Sequence, residues 1–233
     1  MKHTNLDSAS LDGAPSRRVL VVDVGGTHVK VLLTGQREAV RFDSGIHLSP
    51  ELMVRGVKEA IGTWSYDVVA IGVPSPVLRG RILNEPFNLA PGWIAFDYEA
   101  AFGAPVRIMN DALMQALGSY DTGRMLFLGL GTGLGAAVID DGSMMPLEIA
   151  HLSYRRRTYE DYLGARGLKR AGRAKWERRV HRIAQELCSA FVCETVVLGG
   201  GNAKLLRSLP PRGRLGNNDN AFAGGFRLWT DRR

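Results

Sequence analysis

The chain has 233 residues, 45% hydrophobic and 23% charged, which gives room for one or two domains with a buried core and excludes a wholly disordered chain. Its 28 glycines carry no three-residue period, which excludes collagen. The two cysteines, Cys188 and Cys193, are too few for a disulfide framework or a four-thiolate zinc site. The net charge of +7 is unevenly placed: Arg155 to Arg182 holds eleven Lys/Arg against three acids, a surplus of eight. Such a patch suits a polyanion, whether nucleic acid, nucleotide or a chain of inorganic phosphate, and equally suits a solvated helix face.

In chain order, residues 1–17 are polar, lack the apolar stretch of a secretory signal and are expected to form a flexible tail. No apolar run reaches the roughly 18 residues of a membrane span. Together with the thiols, read as buried and reduced, this points to a cytoplasmic protein with no membrane partner. Val19 to Val22 reads as a buried strand, Gly25 and Gly26 as a tight turn, and Val29, Val31 and Leu33 as the alternating return strand of a hairpin. Residues 51–63 carry a helical period, Val68 to Val73 a buried strand, Val106 to Met109 a short strand, and Ala112 to Tyr120 a helix.

The pattern then repeats. Met125 to Asp140 is again strand, glycine turn and strand, with Gly129, Gly131, Gly133 and Gly135 at the turn, which suggests an internal duplication. After the basic segment, Trp176 to Cys193 reads as a helix and Thr195 to Leu198 as a strand closed by Gly199-Gly-Gly-Asn202. Alternating strands and helices predict an α/β fold with parallel pairing beyond the hairpins. The division falls in the polar stretch 118–123, giving lobes 18–117 and 118–233.

Three glycine turns, each following an apolar strand, are candidates for approaching phosphate with backbone N–H groups: Gly25-Gly26-Thr27, Gly129 to Gly135, and Gly199 to Gly201. Asp23, Thr27 and Lys30 add groups suited to Mg²⁺ or phosphate. None is a Walker A loop. Asn110-Asp111 stands between a strand and a helix, where Asp111 serves either as a helix cap or as a general base toward a substrate hydroxyl. Glu148, His151 and Glu160 make a poor metal set but a good one for the hydroxyls of a sugar. Read alone, Glu148 is also compatible with a surface carboxylate.

Taken together, Asp23-Val-Gly-Gly-Thr27, Gly72-Val-Pro-Ser-Pro76, Asn88-Leu89 with Gly92-Trp93, Asn110-Asp111-Ala112, Gly129-Leu-Gly-Thr-Gly-Leu-Gly135, Glu148-Ile-Ala-His151 and Gly199-Gly-Gly-Asn202 resemble the ROK family (repressors, open reading frames and kinases). The resemblance runs from about Arg18 to the C-terminus. Tyr159-Glu160-Asp-Tyr-Leu-Gly164 and the short length resemble its polyphosphate/ATP-glucokinase branch. It implies a two-lobed actin-like ATPase fold of the hexokinase/Hsp70 type, α/β with mixed sheets and an interlobe cleft. It also implies a sugar kinase acting by in-line phosphoryl transfer.

In that resemblance Asp111 is the base, and Asn88, Asn110, Glu148, His151 and Glu160 lie at the sugar. Asp23, Gly25, Gly26, Thr27 and Lys30, with Gly131, Thr132 and Gly133, face the donor phosphates and Mg²⁺. Gly199, Gly200 and Gly201 border the nucleotide or the far part of the donor. The implied partners are glucose or a similar hexose and polyphosphate or ATP, with a homodimer as a compatible state. Three departures stand out. The family's zinc-binding cysteines after the Glu-x-Gly-His motif are missing, so no structural zinc is expected. The glycine of that motif is Ala150. The tail before Val19 is too short for the repressors' helix-turn-helix. Competing readings are an ATP-dependent kinase for fructose, mannose or N-acetylglucosamine, a non-catalytic sugar sensor, and a nucleic-acid binder. The presence of Asp111 argues against the sensor. The lack of a recognised nucleic-acid motif and of regularly interleaved aromatics argues against the binder.

Overall fold

In the computed structural model, residues 17–217 and 219–230 are described; the tail expected at 1–17 lies, but for Arg17, outside them. The elements run β1 (Val19–Val24), β2 (His28–Leu33), β3 (Val40–Asp43), α1 (Pro50–Ile61), β4 (Val68–Val73), β5 (Val77–Leu78), β6 (Arg81–Ile82), α2 (Tyr98–Phe102), β7 (Val106–Asn110) and α3 (Asp111–Ser119). They continue with β8 (Arg124–Leu130), β9 (Leu134–Asp140), β10 (Ser143–Pro146), β11 (Ser153–Tyr154), β12 (Arg157–Thr158), α4 (Tyr159–Leu163), α5 (Ala165–Ala171), α6 (Arg173–Ala190), β13 (Thr195–Gly199), β14 (Gly213–Leu215) and α7 (Asn220–Arg227).

The expected duplication is visible as two five-stranded sheets of the same topology, β3-β2-β1-β4-β7 and β10-β9-β8-β13-β14. In each, an antiparallel hairpin with a third strand is followed by two parallel strands. The α/β fold with mixed sheets therefore stands, with parallel pairing beyond the hairpins.

The central strands β1 and β4 are buried at every position because the sheet is covered on both faces, and successive side chains enter alternate cores. In β1, Leu20, Val22 and Val24 enter an outer core with Met53, Val54, Val57 and Ile61 of α1, while Val19 and Val21 enter a middle core. β8 behaves likewise: Leu126, Leu128 and Leu130 pack with Val180, Ile183, Ala184 and Leu187 of α6, and Met125 and Phe127 turn to the middle. The middle layer is α3 and α7, so the order is helix, sheet, helix pair, sheet, helix. Both cysteines are buried and free.

Two glycines let the middle helices meet backbone to backbone. A β-carbon on Gly118 would stand 1.8 Å from the Asn220 carbonyl oxygen, and one on Gly224 would stand 1.9 Å from that of Met114. The C-terminal segment closes on the first sheet: Trp229 donates Nε1–H to the Val69 carbonyl at 3.1 Å, and its ring lies under the Arg107 guanidinium, 4.2 Å away.

Element limits differ from the sequence reading where caps decide them. The first helix spans Pro50–Ile61 because Ser49 Oγ accepts from the Leu52 amide and Gly62 ends it at φ 54°. The long helix spans Arg173–Ala190 rather than Trp176–Cys193, since Gly172 breaks the chain from α5 at φ 72° and Val192 takes a positive φ beyond its end.

Candidate active site

The period-two alternation of β1 decides where Asp23 points. It shares the face of Val19 and Val21, toward the middle helices, and stands directly across the ladder from Lys30. The Asp23 carboxylate and Lys30 Nζ are 4.0 Å apart. Burial raises the Asp23 carboxyl above the usual carboxylate range, and Lys30 partly opposes this. Beyond the turn, the side chain of Asn88 lies about 3.9 Å from where a Gly26 β-carbon would be, which brings that sugar candidate against the first glycine turn.

At the next strand end the cap is Asn110, not Asp111. Asn110 Oδ1 accepts from the Leu113 amide at 3.1 Å, and its Nδ2 donates to the Ser75 carbonyl at 3.3 Å. Ser75 in turn donates to the Asn84 carbonyl at 2.6 Å, so the Pro-Ser-Pro loop fixes Asn110 from behind. Asp111 is thereby freed from capping. It is the first residue of α3, and its Oδ1 accepts from the next amide, Ala112, at 2.8 Å. Its carboxyl is pushed up to about 7, first by burial and then by the nearby Asp23 carboxylate, with a smaller push from Glu148. The Ala112 N–H pulls the other way. Burial also raises the Glu148 carboxyl, against the pull of His151. Carboxylates from both halves of the molecule, Asp23 and Asp111 from one and Glu148 from the other, thus act on one another electrostatically.

The second glycine turn is held from three sides. The Asn202 side chain donates to the Gly131 carbonyl at 2.9 Å, and the Ala165 amide donates to the carbonyls of Gly131 and Thr132. Glu160 Oε2 accepts from the Leu134 amide at 3.3 Å and would lie 2.7 Å from a β-carbon on Gly133, so a side chain there would push the carboxylate off that amide. Glu160, expected at the sugar, therefore also braces the turn expected at the donor, and Arg166 approaches it at 3.8 Å.

The third turn divides. Gly199 is glycine because the Phe127 ring occupies its β-carbon position, and Gly200 because the Leu130 backbone does, at φ 81°. Gly201 alone faces open space. Thr27 and Thr132 are exposed. Residue-by-residue reading missed Asn202, Ser75 and Arg166 as parts of this region. Asn202 and Ser75 carried a signal, since they stand in the Gly-Gly-Gly-Asn run and the Gly72–Pro76 motif; Arg166 is placed only by tertiary packing.

Among the described residues no group of three or more His, Cys, Asp or Glu side chains is placed to hold a metal ion. A cation carried in by a phosphate donor needs no such cage, because phosphate oxygens and water supply most of its ligands with one or two carboxylates. Asp23, a partly charge-paired carboxylate at a strand end beside a glycine turn, fits that role. No helix among the described residues is long and apolar enough to cross a membrane.

Residues 19–146 match the ROK family model, and the chain belongs to that family. A polyphosphate glucokinase from Mycobacterium tuberculosis (strain ATCC 25177 / H37Ra) is 25% identical over 225 residues, covering 86% of this chain and 84% of its own. Among solved structures, the inorganic polyphosphate/ATP-glucomannokinase of Arthrobacter sp. strain KM superposes with a TM-score of 0.76 at 23% identity, covering 91% of this chain and 98% of that one. The ROK family glucokinase of Streptomyces griseus, solved with glucose and AMPPNP, gives a TM-score of 0.71 at 15% identity, covering 91% and 98%. The fold is thus that of the ROK kinases, the actin-like ATPase fold. Family and fold together define an enzyme of the sugar-kinase class, a phosphotransferase with an alcohol acceptor.

Proposed function

We propose that the protein transfers a phosphoryl group from polyphosphate, with ATP as a second donor, to the 6-hydroxyl of glucose. The observation that carries the reading is Asp111: a carboxyl at the head of α3, released from capping by Asn110 and held near neutrality by burial and by Asp23. A general base works best with a pKa near the operating pH. In the reaction the 6-hydroxyl proton passes to Asp111 as the oxygen attacks the terminal phosphorus, and the bond from that phosphorus to the rest of the donor breaks in line. Asn88, Asn110, Glu148, His151 and Glu160 hold the sugar hydroxyls. Lys30, Thr27 and the N–H groups of Gly26, Thr132 and Gly133 receive the donor phosphates, with Gly201 at their far end; the Gly25 and Gly131 amides donate to the carbonyls of His28 and Gly133 and shape the two turns. Mg²⁺ bound to the donor supplies charge neutralisation, and Asp23 is the group placed to meet it. The lobes read as 18–117 and 118–233 close over the cleft and exclude water, with α7 and Trp229 carried on the first sheet.

Two features support polyphosphate over a purely nucleotide donor. One is the 25% identity to a polyphosphate glucokinase across most of both chains. The other is the basic surface. Arg155, Arg156 and Arg157 of the β11–β12 turn, and Arg166, Lys169, Arg170, Arg173, Lys175 and Arg178 of α5 and α6, are all exposed. Among the described residues only Arg166 of these nine has a carboxylate within salt-bridge reach, at 3.8 Å. Changing Arg170, Arg173, Lys175, Arg178 and Arg179 to Ala should raise the KM for polyphosphate at least tenfold and make it less salt-sensitive; an unchanged KM would remove the polyphosphate assignment.

A further inference from the structure

Glu148, His151 and Glu160 lie along thirteen residues that hold little regular structure. Between the last two, the chain forms β11 and β12, two residues each, joined through Arg155 at φ 56° and Arg156, before α4 begins at Tyr159. A hairpin this short has no stability of its own. Backbone bonds tie its two ends together: the Glu160 amide donates to the Ala150 carbonyl at 3.0 Å, and the Tyr159 amide to that of Leu152 at 3.2 Å. These bonds set His151 and Glu160 relative to each other. Glu160 is also tied to the second sheet through the Leu134 amide, and Ile149 and Ala150 beside His151 enter the second core.

Tyr154 adds a further tie, to α6. Its ring stacks on Tyr159 with centroids 4.6 Å apart and planes at 29°, and meets Tyr162 edge-on at 5.4 Å. Its hydroxyl donates to Glu186 Oε2 at 2.7 Å. Glu186 is on α6, whose opposite face is locked into the second core by Val180, Ile183 and Leu187. The contact therefore runs from a rigid helix through Tyr154 to Tyr159, the neighbour of Glu160.

We propose that Tyr154, held by Glu186, is a positioning residue for the sugar-binding segment: it sets His151 and Glu160 at the distance from Asp111 that a bound hexose requires. This rests on the sugar-kinase reading above. Tyr154 does not touch the reacting atoms, so its loss acts on acceptor binding before it acts on chemistry.

The test compares hexose KM and kcat, with whichever donor supports wild-type turnover, in Tyr154→Phe, Tyr154→Ala, Glu186→Gln and Glu186→Ala. Tyr154→Phe keeps the stack and loses the hydrogen bond, so KM should rise about threefold, the effect of one modest bond. Tyr154→Ala loses both, and KM should rise about tenfold or more. Glu186→Ala should match Tyr154→Phe, the two together should cost no more than either alone, and Glu186→Gln, which still accepts, should restore KM. In Tyr154→Phe, kcat should stay within about twofold and the thermal midpoint should not move. An unchanged hexose KM in both Tyr154 variants would overturn the assignment while leaving the kinase reading intact. So would a fall in kcat that tracks a fall in thermal midpoint, since that is general loosening. No turnover of any hexose by the unaltered protein would remove the kinase reading and this assignment together.

Discussion

The pH dependence of turnover follows from Asp111. Its carboxyl is raised from 3.8 to about 7, chiefly by burial. As a base it must be ionised in the free enzyme, so kcat/KM for the hexose should rise with pH along a limb centred near that value. One unit below it about a tenth of the enzyme is competent, and each further unit costs about another factor of ten. Initial rates at saturating donor, from about pH 5 to about pH 9, give the limb. Asp23→Asn removes the neighbouring carboxylate and should move the limb toward acid even while it lowers the maximum, because burial and the smaller push of Glu148 then remain to raise the carboxyl.

The same shift has a consequence for stability. A carboxyl whose pKa is higher folded than unfolded contributes stability that is fully present below about 3.8 and lost as pH rises through about 7. Each unit is worth about 1.4 kcal/mol, so the full shift amounts to at most about 4 kcal/mol, reduced because Asp111 still reaches cleft water. Asp111→Asn should therefore abolish turnover and yet melt higher than the unaltered protein at pH 8, by several degrees, with the difference shrinking toward pH 4. A flat activity profile down to pH 5, together with an Asn variant no more stable at pH 8, would refute the account of this residue.

Other expectations are structural. Gly224→Ala places a methyl 1.9 Å from the Met114 carbonyl oxygen, which neither helix backbone can yield; it should cost several kcal/mol or prevent folding, whereas Ala at Gly201, which faces open space, should be tolerated in a melting experiment. Glu177 accepts from the amides of Arg207 and Ser208 and from the Ser208 hydroxyl, at 2.8–3.0 Å. Burial pushes its carboxyl up, but these bonds outweigh it and leave the pKa lowered. Its contribution is therefore present above the ordinary glutamate range and lost as pH falls through the lowered folded value. Glu177→Ala should destabilise by about 1–3 kcal/mol at pH 7, with the difference narrowing in acid. Trp229→Ala removes the bond to Val69 and the stack under Arg107, and urea unfolding should show a loss of about 2–4 kcal/mol.

Much of this architecture is legible in the sequence, because hairpins with glycine turns and buried strands carry local signals. Met125 to Asp140 repeats Val19 to Leu33 closely enough that two equivalent sheets follow. The helix α7 is not legible: Asn220–Arg227 contains Gly224 and Gly225, poor helix formers, and what selects them is the contact with Met114 and Val21 far away in the chain. The short elements α4, α5, β11 and β12 fall in the basic segment, where charge hides any apolar period. At the site, Asn110 and Asp111 are both good cap residues, so spacing leaves open which one caps; the Ser75 loop, distant in sequence, decides it. Gly199 and Gly200 read as a phosphate turn because glycine is needed there, and the need is met by packing against Phe127 and Leu130. Glu160's contact with the Gly131–Gly133 turn depends on how two loops fold together, and no local pattern reports it.

The most direct test is to mix the purified protein with glucose, Mg²⁺ and either polyphosphate or ATP, and to measure glucose 6-phosphate. The account predicts product with polyphosphate, slower product with ATP, and no product from Asp111→Asn. Product with ATP alone would retain the kinase and remove the role given to the basic surface. No product with either donor, from glucose or from fructose, mannose and N-acetylglucosamine, would contradict the central claim.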